Sequence, residues 1–90
     1  MANDPRRSAA ALHYEHGEGA PTLVAKGEGF MAEKILATAQ QHGVPIHHDP
    51  ALVGALSRLD LGEQIPTELF SAVATVIAFI YRLKQQQESR

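Results

Sequence analysis

The sequence predicts an α/β fold, in which a small mixed β-sheet is flanked by three or four helices within a single domain. Three observations lead to this prediction. Short runs compatible with β-strands occur at residues 8–14, 22–26 and 44–48. Apolar residues recur at helical spacing over 28–42, and again after residue 66. The length of 90 residues is typical of one domain.

The first half of the chain predicts a β-hairpin followed by a helix. Residues 8–14 are ambiguous in isolation, but they are too few for a stable separate helix. Residues 16–21 contain two glycines and a proline, which is typical of a loop. Residues 22–26 then predict a second strand that ends at Gly27. The helix over 28–42 follows, with apolar side chains four residues apart on one face.

Glycine and proline residues set the element boundaries of the second half. Gly43 can take the left-handed conformation that ends a helix. Residues 44–48 contain a proline and predict an edge strand, because an edge strand tolerates a missing N–H donor. Asp49 can cap a short helix over 50–59, whose first residue is a proline. Pro66 can begin the longest helix in the same way.

The last helix, predicted to end near residue 86, is expected to cover the sheet because its apolar stripe is the widest in the chain. The stripe consists of Leu69, Phe70, Val73, Ile77 and Ile80. The predicted organisation is a flexible N-terminus at residues 1–7, a folded domain at 8–84 and a polar tail at 85–90.

The composition argues against several classes of function. The chain has no cysteine, which excludes disulfides and thiolate zinc sites and fits a reducing compartment. The net charge is −2 and the basic residues are scattered, so we expect no nucleic-acid partner. The longest apolar run, at 76–81, is too short to span a bilayer. No signal peptide is recognisable at the N-terminus. We therefore expect a soluble cytoplasmic domain without a cofactor.

Five histidines invite a metal-site hypothesis. His47 and His48 are neighbours on a predicted strand, where their side chains point to opposite faces, so they cannot share one ion. No metal site is predicted. Ser57, His48 and Asp49 supply the residue types of a hydrolase, but Ser57 lies inside a predicted helix with no nucleophile elbow. The alternative function is a small ligand- or metal-binding domain, or an enzyme, that uses the edge formed by His47, His48 and Asp49.

Five short motifs occur in an order and spacing that match one family. They are Val24-Ala25-Lys26-Gly27, Val44-Pro45-Ile46, Asp49-Pro50-Ala51-Leu52, Gly62-Glu63-Gln64-Ile65-Pro66 and Ala78-Phe79-Ile80-Tyr81-Arg82-Leu83. Together they resemble the cytoplasmic C-terminal domain of the flagellar export-switch protein FlhB and its counterparts in type III secretion. The resemblance extends from about residue 9 to residue 84.

The resemblance implies a function in protein export. Family members carry membrane-spanning helices followed by this domain, at the cytoplasmic face of the export gate. There the domain helps to switch secretion from rod and hook substrates to filament substrates. The implied partners are flagellar or type III export apparatus proteins, among them full-length FlhB. Contact with the membrane is expected only through such partners.

The sequence departs from the family at the cleavage position. Family members cleave themselves within an Asn-Pro-Thr-His motif, where the Asn side-chain amide attacks its own backbone carbonyl. Alignment places Asp4-Pro5-Arg6-Arg7 there, and a free carboxyl group is ionised near neutral pH. The strand that precedes the motif also has no counterpart. We therefore expect a stand-alone homologue that does not cleave itself and is not an enzyme. The residues expected to contact a partner are Arg6, Arg7, Lys26 and Glu28.

Overall fold

The computed structural model describes residues 7–15 and 19–88. Its elements are the strands β1 (Ser8–His13) and β2 (Thr22–Glu28), followed by the helices α1 (Phe30–Gln41), α2 (Pro50–Leu56) and α3 (Phe70–Glu88). A 3₁₀ turn, Thr67–Leu69, leads into α3. The predicted α/β class, with one small sheet and flanking helices, is confirmed. No helix within the described ranges is both long enough and apolar enough to cross a bilayer.

The sheet differs from the prediction in one respect. Within the described residues it has two strands in antiparallel order, and the predicted third strand over 44–48 is not formed. Residues 44–49 form an irregular segment that contains no turn and no bend. A segment becomes a strand only when a neighbour bonds to it. In the described chain no backbone group bonds to the amides of Ile46, His47 and His48.

The ladder of the hairpin contains one irregularity. Ala11 is opposite Ala25, but the next pair is Leu12 opposite Leu23, so Val24 is an extra residue in β2. This two-against-one arrangement is that of a β-bulge. Val24, the extra residue, is half exposed.

The outer edge of β2 is covered where the strand begins. The N–H of Leu23 donates to the carbonyl of Glu63 at 2.9 Å, and the N–H of Gly62 donates to the carbonyl of Leu23 at 2.8 Å. The N–H of Ile65 donates to the carbonyl of Pro21 at 2.9 Å. Residues 62–65 therefore close this side of the sheet.

Helices α1 and α2 lie on opposite faces of the hairpin. A Cβ atom added at Gly27 would lie 2.6 Å from the Cβ of Met31, so Gly27 faces α1. The Lys26 ammonium donates to the carbonyls of Ser57 and Leu59, which directly follow α2. Neighbouring residues of a strand point to opposite faces. The two helices must therefore pack against different sides of β2.

The core is small and lies mainly between β1, α2 and α3. Leu56, Ile65 and Val73 are buried together, and Ala10 and Leu12 of β1 pack against them. Elsewhere in the described part of the chain, Ala9, Leu23 and Ala32 are also buried.

Helix α3 covers less of the sheet than the sequence predicts. Within the predicted stripe Val73 is buried, Ile77 is partly buried against the core, and Phe70 is 46% exposed. The expectation that the last helix covers the sheet because its apolar stripe is the widest was wrong, because α1 packs along both strands. The absence of a side chain at Gly27 allows this close approach, which apolar surface alone did not predict.

The start of α2 and the end of α1 lie where local residues predict them, whereas the ends of α2 and α3 differ from the prediction. The Asp49 carboxylate accepts a hydrogen bond from the N–H of Leu52 at 3.1 Å, and Pro50 is the first residue of α2. Gly43 follows α1 with φ of 68°. Helix α3 continues to Glu88, into the segment predicted as a polar tail.

Candidate functional site

The candidate site is the N-terminal edge, which we define as Arg7, Ser8, Ala10 and Glu28. The N–H of Gly29 donates to the carbonyl of Arg7 at 2.7 Å, which extends the ladder of the hairpin by one pair. Bonded and non-bonded pairs alternate along an antiparallel ladder. Ser8 and Ala10 therefore direct their N–H and C=O groups away from β2. Across the described residues no other backbone group bonds to them, so this edge of the sheet is open.

A glycine conformation holds this edge against α1. Gly29 has φ of 55° and ψ of −119° at the start of the helix, a combination that residues with a Cβ atom avoid. The same residue bonds to the Arg7 carbonyl through its N–H. Gly29 therefore turns the chain from β2 into α1, and its hydrogen bond fixes the position of Arg7 directly before β1.

Arg7 forms an ion pair with α1. Its Nη1 lies 2.9 Å from Oε2 of Glu33, and the two side chains are 44% and 34% exposed. Solvent screens such a pair, so its contribution to stability is about 0–1 kcal/mol. A partner carboxylate could therefore replace Glu33 without a large loss of folding free energy.

The other two predicted contact residues differ in their surroundings. Glu28 is exposed at the end of β2, opposite Ser8. The Lys26 ammonium is partly buried, at 2.5 Å from the Leu59 carbonyl oxygen and 3.2 Å from that of Ser57. A cation placed after a helix satisfies its last carbonyls and suits its dipole. No local spacing predicted this contact, because it joins residues from distant parts of the chain.

An open depression lies beside the N-terminal edge. Its volume is about 310 Å³, and α1 supplies much of its lining through Glu33, Leu36, Ala37 and Gln40. Arg7 lines it on one side, and Ile46 and His48 also line it. Sequence reasoning missed this feature, since three separate segments contribute to it.

The residues of the alternative site, His47, His48 and Asp49, do not come together in one place. The His47 ring packs edge-on against Phe79, with the ring centroids 6.1 Å apart. His48 lines the depression, and Asp49 caps α2. In the part of the chain that the structure describes, no three His, Asp or Glu residues are placed to hold a metal ion. Asp4, Pro5 and Arg6 lie outside the described residues.

Comparison with known proteins finds a relative of about the same length as this chain and a longer relative of which the chain matches only a part. The uncharacterized protein YlqH of Bacillus subtilis (strain 168) is 39% identical over 87 residues, which is 96% of this chain and 94% of YlqH. The flagellar biosynthetic protein FlhB of Escherichia coli (strain K12) is 38% identical over 87 residues, or 94% of this chain. The match spans only 23% of that FlhB.

Solved structures have the same fold. The crystal structure of the cytoplasmic domain of FlhB from Shewanella putrefaciens matches with a TM-score of 0.85 and 36% identity, over 92% of this chain and 69% of that one. The PscU C-terminal domain matches with a TM-score of 0.79 and 27% identity, over 84% of this chain and 99% of that one.

The sequence model described as the FlhB HrpN YscU SpaS Family matches residues 2–80. The family, the FlhB relatives and the matching structures agree with one another. The chain therefore belongs to the FlhB/YscU/SpaS family, and its fold is that of the cytoplasmic domain of FlhB.

Proposed function

We propose that this domain acts by protein–protein interaction in flagellar or type III protein export, where it takes part in switching between classes of exported substrate. The observation that carries the proposal is the likeness to the cytoplasmic domain of FlhB over 92% of the chain. The domain would act at the cytoplasmic face of the export gate. Its partner would be an export apparatus protein, and full-length FlhB is the first to test.

The proposed contact surface is the N-terminal edge together with Arg6. The backbone groups of Ser8 and Ala10 that bond to no other described residue can accept an incoming strand, a common mode of peptide recognition. Arg7 and Glu28 add exposed charges beside them. Lys26 would contribute by holding α2 against the sheet, since its ammonium already has two carbonyl partners.

We also propose that the domain does not cleave itself. Asp4 stands at the position of the attacking asparagine, and its carboxylate is a poor nucleophile toward its own carbonyl near neutral pH. Mass spectrometry of the purified chain after days at neutral pH should show a single species. A fragment that begins at Pro5 would contradict this proposal.

A binding experiment with charge-reversed variants tests the interaction. The purified chain is incubated with membranes that contain full-length FlhB from the same cell, and captured proteins are identified. A small, partly polar interface predicts a Kd of about 1 μM. The double substitution Arg6→Glu with Arg7→Glu should weaken binding about tenfold or more. It should lower stability by no more than about 1 kcal/mol, because the Arg7–Glu33 pair that it removes is exposed to solvent.

Arg82→Glu with Lys84→Glu provides the matched control, because both residues are exposed on α3 and the change in net charge is the same. This variant should bind as the unmodified chain does. Two results together would refute the proposal: no export component is captured, and a deletion strain without a second copy swims normally.

A further inference from the structure

The edge of β2 that faces away from β1 is open over the second half of the strand. The N–H of Gly29 bonds to the carbonyl of Arg7, and bonded pairs alternate with non-bonded pairs along the ladder. The N–H and C=O groups of Lys26 and Glu28 therefore point away from β1. No backbone group of the described chain bonds to them. Residues 62–65 cover this edge only where β2 begins, so Lys26 and Glu28 remain able to pair with another chain.

The length of this open stretch suits a second β2 strand. A long peptide laid along the edge would collide with residues 62–65, which bond to the beginning of β2. An antiparallel copy of β2 avoids this collision, because its own chain leaves the sheet at Gly29 and turns into α1. When Gly27 of one copy lies opposite Gly27 of the other, the incoming strand ends before it reaches residues 62–65.

Charge selects the same register. With the two Gly27 residues opposite each other, Lys26 of each copy forms a bonded pair with Glu28 of the other, so every open backbone group gains a partner. The side chains of each pair then carry opposite charges, which stabilises antiparallel strands. The neighbouring registers of the same bonding pattern place Lys26 opposite Lys26 or Glu28 opposite Glu28, where like charges repel.

The Lys26 ammonium can bind the incoming carboxylate. A lysine ammonium has three N–H donors, and the carbonyls of Ser57 and Leu59 take two of them. Alternate residues of a strand share a face, so the Glu28 side chain lies on the same face as that of Lys26. Directly opposite Cβ atoms are about 5 Å apart, which brings Glu28 of the other copy within reach. Helix α2, on this face, packs against β1 and leaves the β2 edge clear.

Exposed apolar side chains meet on the other face. A Cβ atom added at Gly27 would lie 2.6 Å from the Cβ of Met31, so Met31 stands above Gly27. Opposite Cα atoms of a non-bonded pair are about 4.5 Å apart, so the Met31 side chains of two copies would touch over the axis. The same register brings Phe30 of one copy toward Val24 of the other. All three side chains are more than half exposed in the single chain.

We propose that this chain forms a two-fold dimer in which the edges of two β2 strands pair around Gly27. The same patch serves both copies, as in other closed two-fold assemblies. The result is a continuous sheet in the order β1, β2, β2, β1, with the open edge of each β1 on the outside. The inference goes beyond the proposed function, because it needs no export component and leaves Ser8 and Ala10 open in both copies. The interface is small, so the dimer is weak.

Sedimentation of the purified chain over a range of concentrations tests self-association. Dimers should appear as the concentration rises, and a chain that stays monomeric at about 1 mM would refute the proposal. Amide exchange followed by NMR over the same range locates the interface. The N–H groups of Lys26 and Glu28 should exchange more slowly in the dimer. Protection gained instead at Ser8 and Ala10 would place the interface at β1 and overturn the assignment.

Charged variants at Met31 test the two-fold axis. Met31→Glu brings two carboxylates together there and Met31→Lys two ammonium groups, so each variant alone should dimerise about tenfold more weakly or worse. Both should keep the circular dichroism of the folded chain, since Met31 is more than half exposed. An equal mixture should associate more tightly than either variant alone, because opposite charges then meet. A mixture that gains nothing would refute the geometry.

A second position and a control separate this interface from a general effect of charge. Glu28→Lys places like charges opposite each other across the new ladder and should weaken dimerisation about tenfold. Leu83→Glu adds the same charge as Met31→Glu, at an exposed apolar residue of α3, and should leave dimerisation unchanged. Equal weakening by Leu83→Glu and Met31→Glu would show that net charge controls association, and the proposal would be wrong.

The outcomes also distinguish this inference from the proposed function. Association of the purified chain decides the inference, whereas capture of an export component decides the proposed function. If the chain dimerises through Lys26 and Glu28 but captures no export component, the dimer stands and the proposed function is wrong. If the chain stays monomeric and added full-length FlhB slows exchange of these two amides, the occupant is FlhB and the assignment to a second copy is overturned.

Discussion

Replacing Gly27 with alanine should destabilise the domain, because the added methyl group has no room. A Cβ atom at Gly27 would lie 2.6 Å from the Cβ of Met31 and 3.3 Å from the backbone carbonyl carbon of the same residue. Both atoms belong to the first turn of α1, so neither can rotate away as a flexible side chain would. Relief requires α1 to shift from β2. Overpacking of this kind lowers the free energy of unfolding by about 1–3 kcal/mol.

That loss is large for a domain of this size. A stability of about 0.05–0.15 kcal/mol per residue corresponds to roughly 5–13 kcal/mol for 90 residues. Each kcal/mol lost lowers the melting temperature by about 4–8 °C in a domain of this length. Urea unfolding followed by circular dichroism gives the free energy, and a thermal scan gives the shift in melting temperature.

Gly54→Ala provides the matched control. Gly54 lies within α2, and no atom lies within 4 Å of a Cβ added there. The same substitution should therefore stabilise the domain by about 0.5–1 kcal/mol, as expected for glycine to alanine inside a helix. The two variants should shift stability in opposite directions. If Gly27→Ala is as stable as the unmodified protein, α1 does not approach β2 as closely as described.

Substitutions at four further positions test the contacts that hold α2 and the core. Lys26→Met should lower the free energy of unfolding by about 1–3 kcal/mol, because the carbonyls of Ser57 and Leu59 lose their hydrogen-bond donor. An unchanged urea midpoint would show that these bonds do not stabilise the domain. Asp49→Ala should cost about 0.5–2 kcal/mol through loss of the N-cap, whereas Asp49→Asn should remain close to the unmodified protein. Leu23→Ala, at a side chain that is 0% exposed, should cost about 2–5 kcal/mol in the same assay. Ile77→Ala should cost less because Ile77 is only partly buried, and an equal loss at both positions would contradict the core described here.

Local residues explain why several elements were predictable. The cap at Asp49, the proline that begins α2 and the left-handed Gly43 each act within a few residues. The hairpin follows from two short strands and a loop. The predicted end of α2 was less accurate: the helix ends at Leu56, and the carbonyl of Leu59 turns toward Lys26 instead. A contact between distant residues changed the boundary, so local sequence rules could not give it.

By itself, the sequence determined the α/β class, the order of the elements and the family, because these follow from local propensity and from motifs in a fixed order. Only the tertiary structure showed the ion pair of Arg7 with Glu33 and the two carbonyl partners of Lys26. It alone showed, too, that within the described residues the amides of Ile46, His47 and His48 bond to no backbone group. Side-chain alternation indicates that a segment is suited to be a strand. Such a segment forms a strand only if another strand lies within hydrogen-bonding distance of its backbone. The packing of α1 and β1 decides whether one does, and local sequence rules do not describe that packing.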